Sequence, residues 1–462
     1  MKKGEKKKEF VTGYTVSNAV KKGDVFTRLS MIFLGLGNFA RGERAKGILF
    51  LTSEVGFLYL FVSFLMPALG MLPSLGLTAT EEVFNETTQL YEYTQGDNSM
   101  LILLYGIISI FMIAAFVVLW RAAQKSAYKV QYKAQNNIKI LGFMQEMKTY
   151  LNEELHKLLL TLPVIGVIAI TIMPIIYMVS MAFTNYDRDH QPPGNLFTWV
   201  GLDNFRLLFN FAGNFGSTFM YVLGWTLIWA VFATGLNYIF GMLLAMVINR
   251  KETRFKGFYR MCFVVTIAVP QFVSLLLISQ MLQPEGIVNV VLRNTGILGS
   301  AESLPFLTNI TWARVTVIIV NLWVGMPHTM LTTTGILNNI PPELYEAAKV
   351  DGANKFVTFF KITLPYMLHV TGPYLITTFV GNINNFNVIY LLTGGKPNTM
   401  EYYRMTAGKT DLLVTWLYKL TIDNRDYNLG AVIGIMVFAI SAFFSLIVYR
   451  RTGSYKNEEG FQ

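Results

Sequence analysis

Apolar runs about as long as a bilayer is thick dominate this sequence of 462 residues. A transmembrane helix needs about 20 predominantly apolar residues. About eight runs meet that requirement, at 47–72, 100–120, 158–183, 217–248, 258–282, 312–334, 366–385 and 429–449. Charged residues make up only 14% of the chain, too little to cover the surface of a soluble protein of this size. The sequence therefore predicts an all-α, polytopic membrane protein.

Basic side chains collect between alternate spans and predict the orientation of the chain. The loop 73–99 holds glutamates and an aspartate but neither lysine nor arginine, whereas 121–157 carries lysines throughout its length. Because an excess of lysine and arginine marks cytoplasmic loops, the first loop is predicted outside and the second inside. By the same count 341–365 and both termini are cytoplasmic, in a bacterial cell membrane.

The first part of the chain is predicted to be peripheral to the spans. Residues 1–24 are rich in lysine, and apolar residues then recur at helical spacing over a run too short to cross a bilayer. We expect 1–46 to form a cytoplasmic basic tail and one interfacial helix. Residues 47–155 would be an N-terminal two-span element with a cytoplasmic linker, and 156–462 a six-span core.

A polar stretch at 341–365 separates two predicted spans. Pro342 suits the first turn of a helix, where a missing N–H group costs little. Gly352 predicts the end of that helix, since glycine readily takes the left-handed conformation. We expect one helix from Pro342 to Val350 and a second that starts near Asn354, the two making an angle on the membrane surface.

The same stretch resembles the EAA loop of ABC importer permeases. The matching residues are Glu346, Ala347, Ala348, Asp351, Gly352, Ala353 and Phe359, followed by Ile362-Thr363-Leu364-Pro365. The resemblance implies the permease core of a type I ABC importer (MetI-like), in which this loop is a coupling helix seated in a cleft of an ATP-hydrolysing subunit. An ordinary surface hairpin of two helices is the alternative interpretation.

Asparagines within two later spans predict a polar cavity in the membrane. Asn321 lies inside one predicted span, and further asparagines crowd the end of the next at 382–387. An unpaired polar side chain is costly in hydrocarbon, whereas amides and neighbouring aromatic rings suit the hydroxyls and apolar faces of a sugar. An uncharged polyhydroxylated substrate is one interpretation. Hydrogen bonding between helices is the other.

Three stretches near these asparagines resemble MalF-type permease subunits of maltose and maltodextrin importers, namely NLWVGMP, GNINNFNVIYLLTGG and AGKTDLLVTWLYKL. In that family the sugar is held midway through the membrane by the spans before and after the coupling loop. Carried onto matching positions, the resemblance implies substrate-binding roles for Asn321, Val324, Gly325, His328, Thr378, Gly381, Asn382 and Asn385. His328 and Gly381 depart from the family, which has tyrosine and a bulkier aromatic residue there. Galactose-containing or other oligosaccharides are therefore the alternative to maltodextrin.

The resemblance also implies partners: a second, MalG-like permease subunit, two ATPase subunits that bind ATP-Mg, and an extracellular sugar-binding protein. The chain would need no cofactor or metal of its own and bind no nucleic acid. The sequence has no phosphate-binding loop and no metal-binding histidine pattern, so we expect a transport subunit and not an enzyme. The rival classes are an ion-coupled secondary transporter, which would place ionisable residues within spans, and a membrane-embedded enzyme.

Overall fold

The predicted all-α fold is confirmed. The computed structural model describes residues 13–87, 89–153, 155–250 and 252–451. Among these, seven helices are long and apolar enough to cross a membrane, and a bent pair of helices adds an eighth candidate. The chain divides into two compact units, Met1–Val200 and Gly201–Gln462. This division groups the third span with the first two, and the six-span core expected from residue 156 stays a prediction.

The first unit contains short peripheral helices and three spans. It begins with α1 (Val16–Lys22), α2 (Val25–Leu29) and α3 (Leu36–Ala40). The first span comprises α4 (Arg44–Leu60), a π-helical turn (Phe61–Leu65) and α5 (Met66–Met71). An antiparallel hairpin of β1 (Glu82–Asn85) and β2 (Leu90–Tyr93) follows. The remaining helices are α6 (Ser99–Gln135), α7 (Phe143–Glu153), and a third span of α8 (Leu155–Gly166), a π-helical turn (Val167–Ile172) and α9 (Met173–Met181).

The prediction of a single helix near residues 25–36 is wrong. Helix α2 ends at Leu29, and the chain turns before α3 begins at Leu36. Gly35 makes this turn with φ +84°, a left-handed conformation that costs glycine little. Apolar spacing alone therefore did not reveal that a turn divides the segment. The lysines of the predicted basic tail between residues 1 and 12 lie outside the described residues.

The second unit is built around two long helices. It runs through α10 (Asp203–Phe209), α11 (Asn214–Asn249), α12 (Lys256–Ala268), α13 (Gln271–Met281), α14 (Ile287–Asn294), α15 (Ile310–Leu337), α16 (Pro342–Val350) and α17 (Lys355–Thr358). After a π-helical turn (Phe359–Thr363) come α18 (Leu364–Ile383), α19 (Phe386–Leu392), a 3₁₀ turn (Tyr403–Met405), α20 (Leu413–Tyr418), a π-helical turn (Lys419–Asp423) and α21 (Tyr427–Arg451). Helix α11 packs along α15 and α18. Buried Trp225 and Trp229 of α11 form the core of this unit with Val317, Val388 and Ile389.

The predicted span 258–282 is not one continuous helix. Its two halves, α12 and α13, meet at an angle of 89°. The break falls at Val269 and Pro270, whose backbone is extended. Proline has no N–H to donate to the preceding turn, and its ring clashes with that turn. Thr266, Gln271 and Ser274 lie beside this break.

The two helices expected in 341–365 are present. Helix α16 spans Pro342–Val350 as predicted, and Gly352 takes φ +74° immediately after it. The Asn354 side chain caps the next helix by accepting a hydrogen bond from the Val357 N–H at 2.9 Å. That second helix does not stop on the surface, because it runs through a π-helical turn straight into α18. The bend at Gly352 is thus joined directly to a membrane span.

A buried ion pair holds the loop between α19 and α20. The Asp411 carboxylate accepts hydrogen bonds from Lys419 Nζ at 2.6 Å, from the Gly408 N–H at 2.7 Å and from Thr415 Oγ1 at 2.8 Å. Burial raises the pKa of Asp411, and the attraction of the Lys419 ammonium opposes that rise. The same loop is tied to α11 by Trp225, whose indole N–H donates to the Thr410 carbonyl at 3.1 Å.

Replacing Asp411 should destabilise the second unit. The Asp411→Ala variant leaves the Lys419 ammonium, whose side chain is 13% exposed, without its carboxylate, and breaking a buried pair costs about 3–5 kcal/mol. The control is Asp423→Ala, since Asp423 is exposed and such changes stay within about 0.5 kcal/mol. Denaturant titration of the purified protein in detergent measures both. Equal loss of stability in the two variants would contradict this role for Asp411.

Candidate functional site

A cavity of about 450 Å³ lies within the second unit, among α11, α15, α18 and the break between α12 and α13. Amides, hydroxyls and aromatic rings line it, and none of the described residues in its wall is Asp, Glu, Lys or Arg. The lining residues are Asn237, Thr266, Ile267, Val269, Pro270, Gln271, Ser274, Asn321, Trp323, Val324, Gly325, His328, Thr329, Tyr374, Thr378, Asn382 and Asn385. Such a wall suits an uncharged polar ligand.

The structure brings most of the predicted substrate residues together. The cavity is lined by Asn321, Val324, Gly325 and His328 of α15, and by Thr378, Asn382 and Asn385 at the end of α18. Gly381, in contrast, lies outside the cavity, at an exposed position where an added Cβ would meet no described atom within 4 Å. Gly381 therefore lies on a different face of α18 from Thr378 and Asn382, which line the cavity.

Two asparagines present unpaired polar atoms at the cavity. Asn321 and Asn237 are only 4% and 6% exposed. Among the described atoms, neither Asn321 Nδ2 nor Asn237 Oδ1 has a hydrogen-bond partner. A buried polar group left unpaired costs about 1–3 kcal/mol. The pair offers one donor and one acceptor, which is what a hydroxyl group needs, since it both donates and accepts.

The other predicted asparagines hold the protein together. Asn382 Nδ2 donates to Thr234 Oγ1 of α11 at 3.0 Å, and Asn382 Oδ1 accepts from Asn385 Nδ2 at 3.4 Å. Asn385 Oδ1 in turn caps α19 by accepting from the Val388 N–H at 3.2 Å. Hydrogen bonding between helices, one of the two interpretations of the sequence, therefore accounts for Asn382. These side chains therefore shape the wall of the cavity.

Several lining residues were not predicted from the sequence. They are Asn237 on α11, Thr266, Gln271 and Ser274 beside the break, and Thr329 and Tyr374. An isolated asparagine in an apolar run was the signal for Asn237, and Pro270 was the signal for the break. Tyr374 and Trp323 also supply aromatic faces in the wall, and the Tyr374 hydroxyl lies 3.3 Å from Thr329 Oγ1.

The predicted coupling residues form an exposed bend in the same unit. Glu346, Ala347, Asp351 and Gly352 are exposed, Ala348 is buried, and Ala353 and Phe359 are half-buried. The two arms are tied together by the Tyr345 hydroxyl, which lies 3.1 Å from Thr363 Oγ1. Phe359 packs against a cluster that includes Tyr238 of α11 and Met367 of α18. The bend is therefore in contact with two of the helices that line the cavity.

Comparison with known proteins identifies the family. Residues 237–451 match the family described as the binding-protein-dependent transport system inner membrane component. The chain is 34% identical over 433 residues to the galactooligosaccharides transport system permease protein GanP of Bacillus subtilis, covering 93% of this chain and 98% of that protein. The chain belongs to this family of ABC importer permeases.

Two further relatives of this permease carry maltose-system names. The maltodextrin transport system permease protein MalC of Streptococcus pneumoniae is 32% identical over 444 residues, covering 93% of this chain and 96% of MalC. The maltose/maltodextrin transport system permease protein MalF of Escherichia coli is 32% identical over 280 residues, covering 60% of this chain and 53% of MalF. The resemblance to MalF-type permeases is confirmed, and the chain is a transport component and not an enzyme.

A solved structure supports the fold. A bacterial ABC transporter involved in the import of alginate superposes with a TM-score of 0.51 at 24% sequence identity, over 66% of this permease and 98% of the compared chain. At that identity the likeness concerns the arrangement of helices alone. It agrees with the predicted importer-permease fold.

Adding a methyl group at Gly325 should disturb the packing of α15 against Asn237 beside the cavity. A Cβ at this position would overlap the side-chain amide of Asn237, and overpacking typically costs about 1–3 kcal/mol. Gly335→Ala on the same helix is the control, because an added Cβ there meets no described atom within 4 Å and alanine favours a helix over glycine. Denaturant titration in detergent should show Gly325→Ala less stable than Gly335→Ala. Equal stability of the two variants would contradict the close approach of Gly325 to the Asn237 side chain.

Proposed function

We propose that this permease moves an uncharged oligosaccharide, with maltodextrin as the favoured substrate, through the cavity of the second unit. The observation that carries the proposal is a wall whose described residues include no Asp, Glu, Lys or Arg, and in which Asn237 and Asn321 each have an unpaired amide atom. Sugar hydroxyls could satisfy both atoms, and Trp323 and Tyr374 could pack on the apolar face of a ring. Relatives named for maltodextrin and galactooligosaccharides support a sugar as the substrate class.

Galactose-containing oligosaccharides are the second candidate, favoured by the similarity to GanP over nearly the whole chain. Uptake into proteoliposomes that hold the assembled transporter would decide between the two. The maltodextrin proposal expects a linear glucose trisaccharide to compete better than a galactose-containing trisaccharide of equal size. Stronger competition by the galactose-containing trisaccharide would favour the second candidate over maltodextrin. The proposal that the substrate is a sugar would still stand.

The energy for transport would come from partner subunits. We propose that two ATPase subunits, binding ATP-Mg, receive the bend at 346–353, and that a second, MalG-like permease subunit completes the pathway. An extracellular binding protein would deliver the sugar, as the description of the family suggests. With α12 and α13 counted together as one span, an even number of spans separates the bend from each terminus, so both termini would then face the cytoplasm, where the ATPase subunits lie. Closure of the ATPase dimer would move α16 and, through the joined α17 and α18, reshape the cavity.

Removal of the unpaired donor Asn321 Nδ2 should weaken the binding of sugar. Asn321→Ala loses one hydrogen bond to the ligand, worth about 0.5–1.5 kcal/mol, so the half-saturating sugar concentration for uptake should rise about 2- to 12-fold. Asn384→Ala is the control, because Asn384 is exposed and donates to the Val380 carbonyl of its own helix. If the half-saturating sugar concentration is the same for Asn321→Ala and Asn384→Ala, Asn321 is not part of the binding site.

The bend should be needed for coupling. Proline fixes φ near −65° and cannot adopt the φ of +74° at Gly352. We expect Gly352→Pro to insert into the membrane but to lose ATP-driven uptake. Gly352→Asn should retain uptake, since asparagine tolerates the left-handed conformation. Wild-type uptake by the proline variant would refute the proposed role of the bend.

A further inference from the structure

An apolar groove of about 460 Å³ lies in the first unit, between the turn before α3 and the start of the first span. One wall comes from the turn and α3 and the other from one face of α4. The lining residues are Phe33, Leu34, Gly35, Leu36, Phe39, Gly47, Ile48 and Leu51. Neither the cavity of the second unit nor the coupling bend uses them.

The groove is preformed, because its peripheral wall is fixed by hydrogen bonds to two spans. Leu34 N–H donates to Glu54 Oε2 of α4 at 2.8 Å. From α6, Gln124 Nε2 donates to the Ser30 carbonyl at 2.6 Å and the Trp120 indole N–H donates to the Met31 carbonyl at 3.1 Å. A ligand therefore need not order this segment on binding, which lowers the cost of association.

Two glycines bring the walls close together. A Cβ at Gly47 would lie 2.7 Å from Phe39 Cβ, closer than real side chains approach. Gly35 is held at φ +84° against the Gly47 carbonyl. The groove above this contact remains open, and Phe33, Phe39 and Ile48 are 54%, 46% and 51% exposed. Because Ile48 and Leu51 belong to a helix that crosses the membrane, the groove is continuous with the lipid-facing surface of that span.

A basic side chain precedes the groove residues of α4 by about one helical turn. Arg44 begins α4 and precedes Ile48 and Leu51 by four and seven residues, so all three share one helix face. Arg44 is exposed, and no ion pair joins it to an acidic residue in the described part of the chain. Ile48 and Leu51 lie about 6–10 Å farther along the helix axis. A positive group is therefore followed by an apolar groove along the same face of the helix.

We propose that this groove is a binding site for one anionic glycerophospholipid of the surrounding bilayer. An acyl chain would lie between α3 and α4, and the Arg44 guanidinium would pair with the phosphate. Lys21, Lys22 and Arg28 are also exposed on the short helices that precede the groove, and they would add attraction for an anionic headgroup. The site would anchor the N-terminal helices to the membrane surface.

Native mass spectrometry of the full chain, exchanged into mixed micelles of phosphatidylglycerol and phosphatidylcholine, tests the proposal. The wild-type protein should retain one phosphatidylglycerol in preference to phosphatidylcholine. Arg44→Gln should reduce that preference about fivefold, the effect of one basic side chain near an anionic lipid. Leu51→Trp should fill the slot and release lipid of both kinds.

Matched variants separate the site from general effects on charge and bulk. Arg188→Gln removes an exposed arginine of the first unit outside the groove, and Leu58→Trp adds the same bulk at an exposed position of the same helix. Both should retain lipid as the wild type does. The proposal is overturned if Arg44→Gln keeps the full preference for phosphatidylglycerol, or if Leu51→Trp retains as much lipid as Leu58→Trp.

Discussion

The cost of leaving polar groups unpaired in hydrocarbon organises the second unit of this permease. Some polar side chains on its long helices join two helices, as in the contact of the Tyr238 hydroxyl with Thr371 Oγ1 at 2.8 Å and that of Asn382 with Thr234 at 3.0 Å. Others bond within their own helix, as Thr378 Oγ1 does with the Tyr374 carbonyl at 2.9 Å. Asn237 and Asn321, which line a cavity, are among the exceptions, because Asn237 Oδ1 and Asn321 Nδ2 are buried and have no hydrogen-bond partner among the described atoms. A membrane protein tolerates such atoms only where water or a ligand reaches them.

The approximate positions of most spans and the bounds of helix α16 were predictable because their signals are local, whereas the spans predicted at 100–120 and 366–385 belong to longer helices, Ser99–Gln135 and Lys355–Leu392. A transmembrane helix needs about 20 predominantly apolar residues, so each span is visible as a run in the sequence. Pro342 and Gly352 mark the ends of α16 through their own backbone preferences. The cavity was predictable only in part. Sequence spacing identified Asn321 but missed Asn237, because an asparagine in an apolar run does not reveal which neighbouring helix it faces. Gly381 shows the converse, since its helix face points away from the cavity.

The features that sequence did not reveal arise where a short backbone irregularity redirects a longer segment. Pro270 turns an apolar run into two helices at 89°, and Gly35 interrupts a run whose apolar spacing indicated one interfacial helix. Each irregularity lies beside a cavity or groove for which we propose a ligand. The first cavity has no Asp, Glu, Lys or Arg among its described lining residues, and the second is apolar. The chemistry of each wall separates the two ligand classes.

The central claim is that the substrate sits between Asn237 and Asn321 inside the membrane. Determining the structure of the assembled transporter with a linear glucose trisaccharide, trapped with the binding protein and a nucleotide analogue, tests it most directly. The account predicts sugar density in the cavity, with hydroxyl groups within hydrogen-bond distance of Asn321 Nδ2 and Asn237 Oδ1. Density for the transported sugar elsewhere along the pathway, with both amides facing only water, would contradict it.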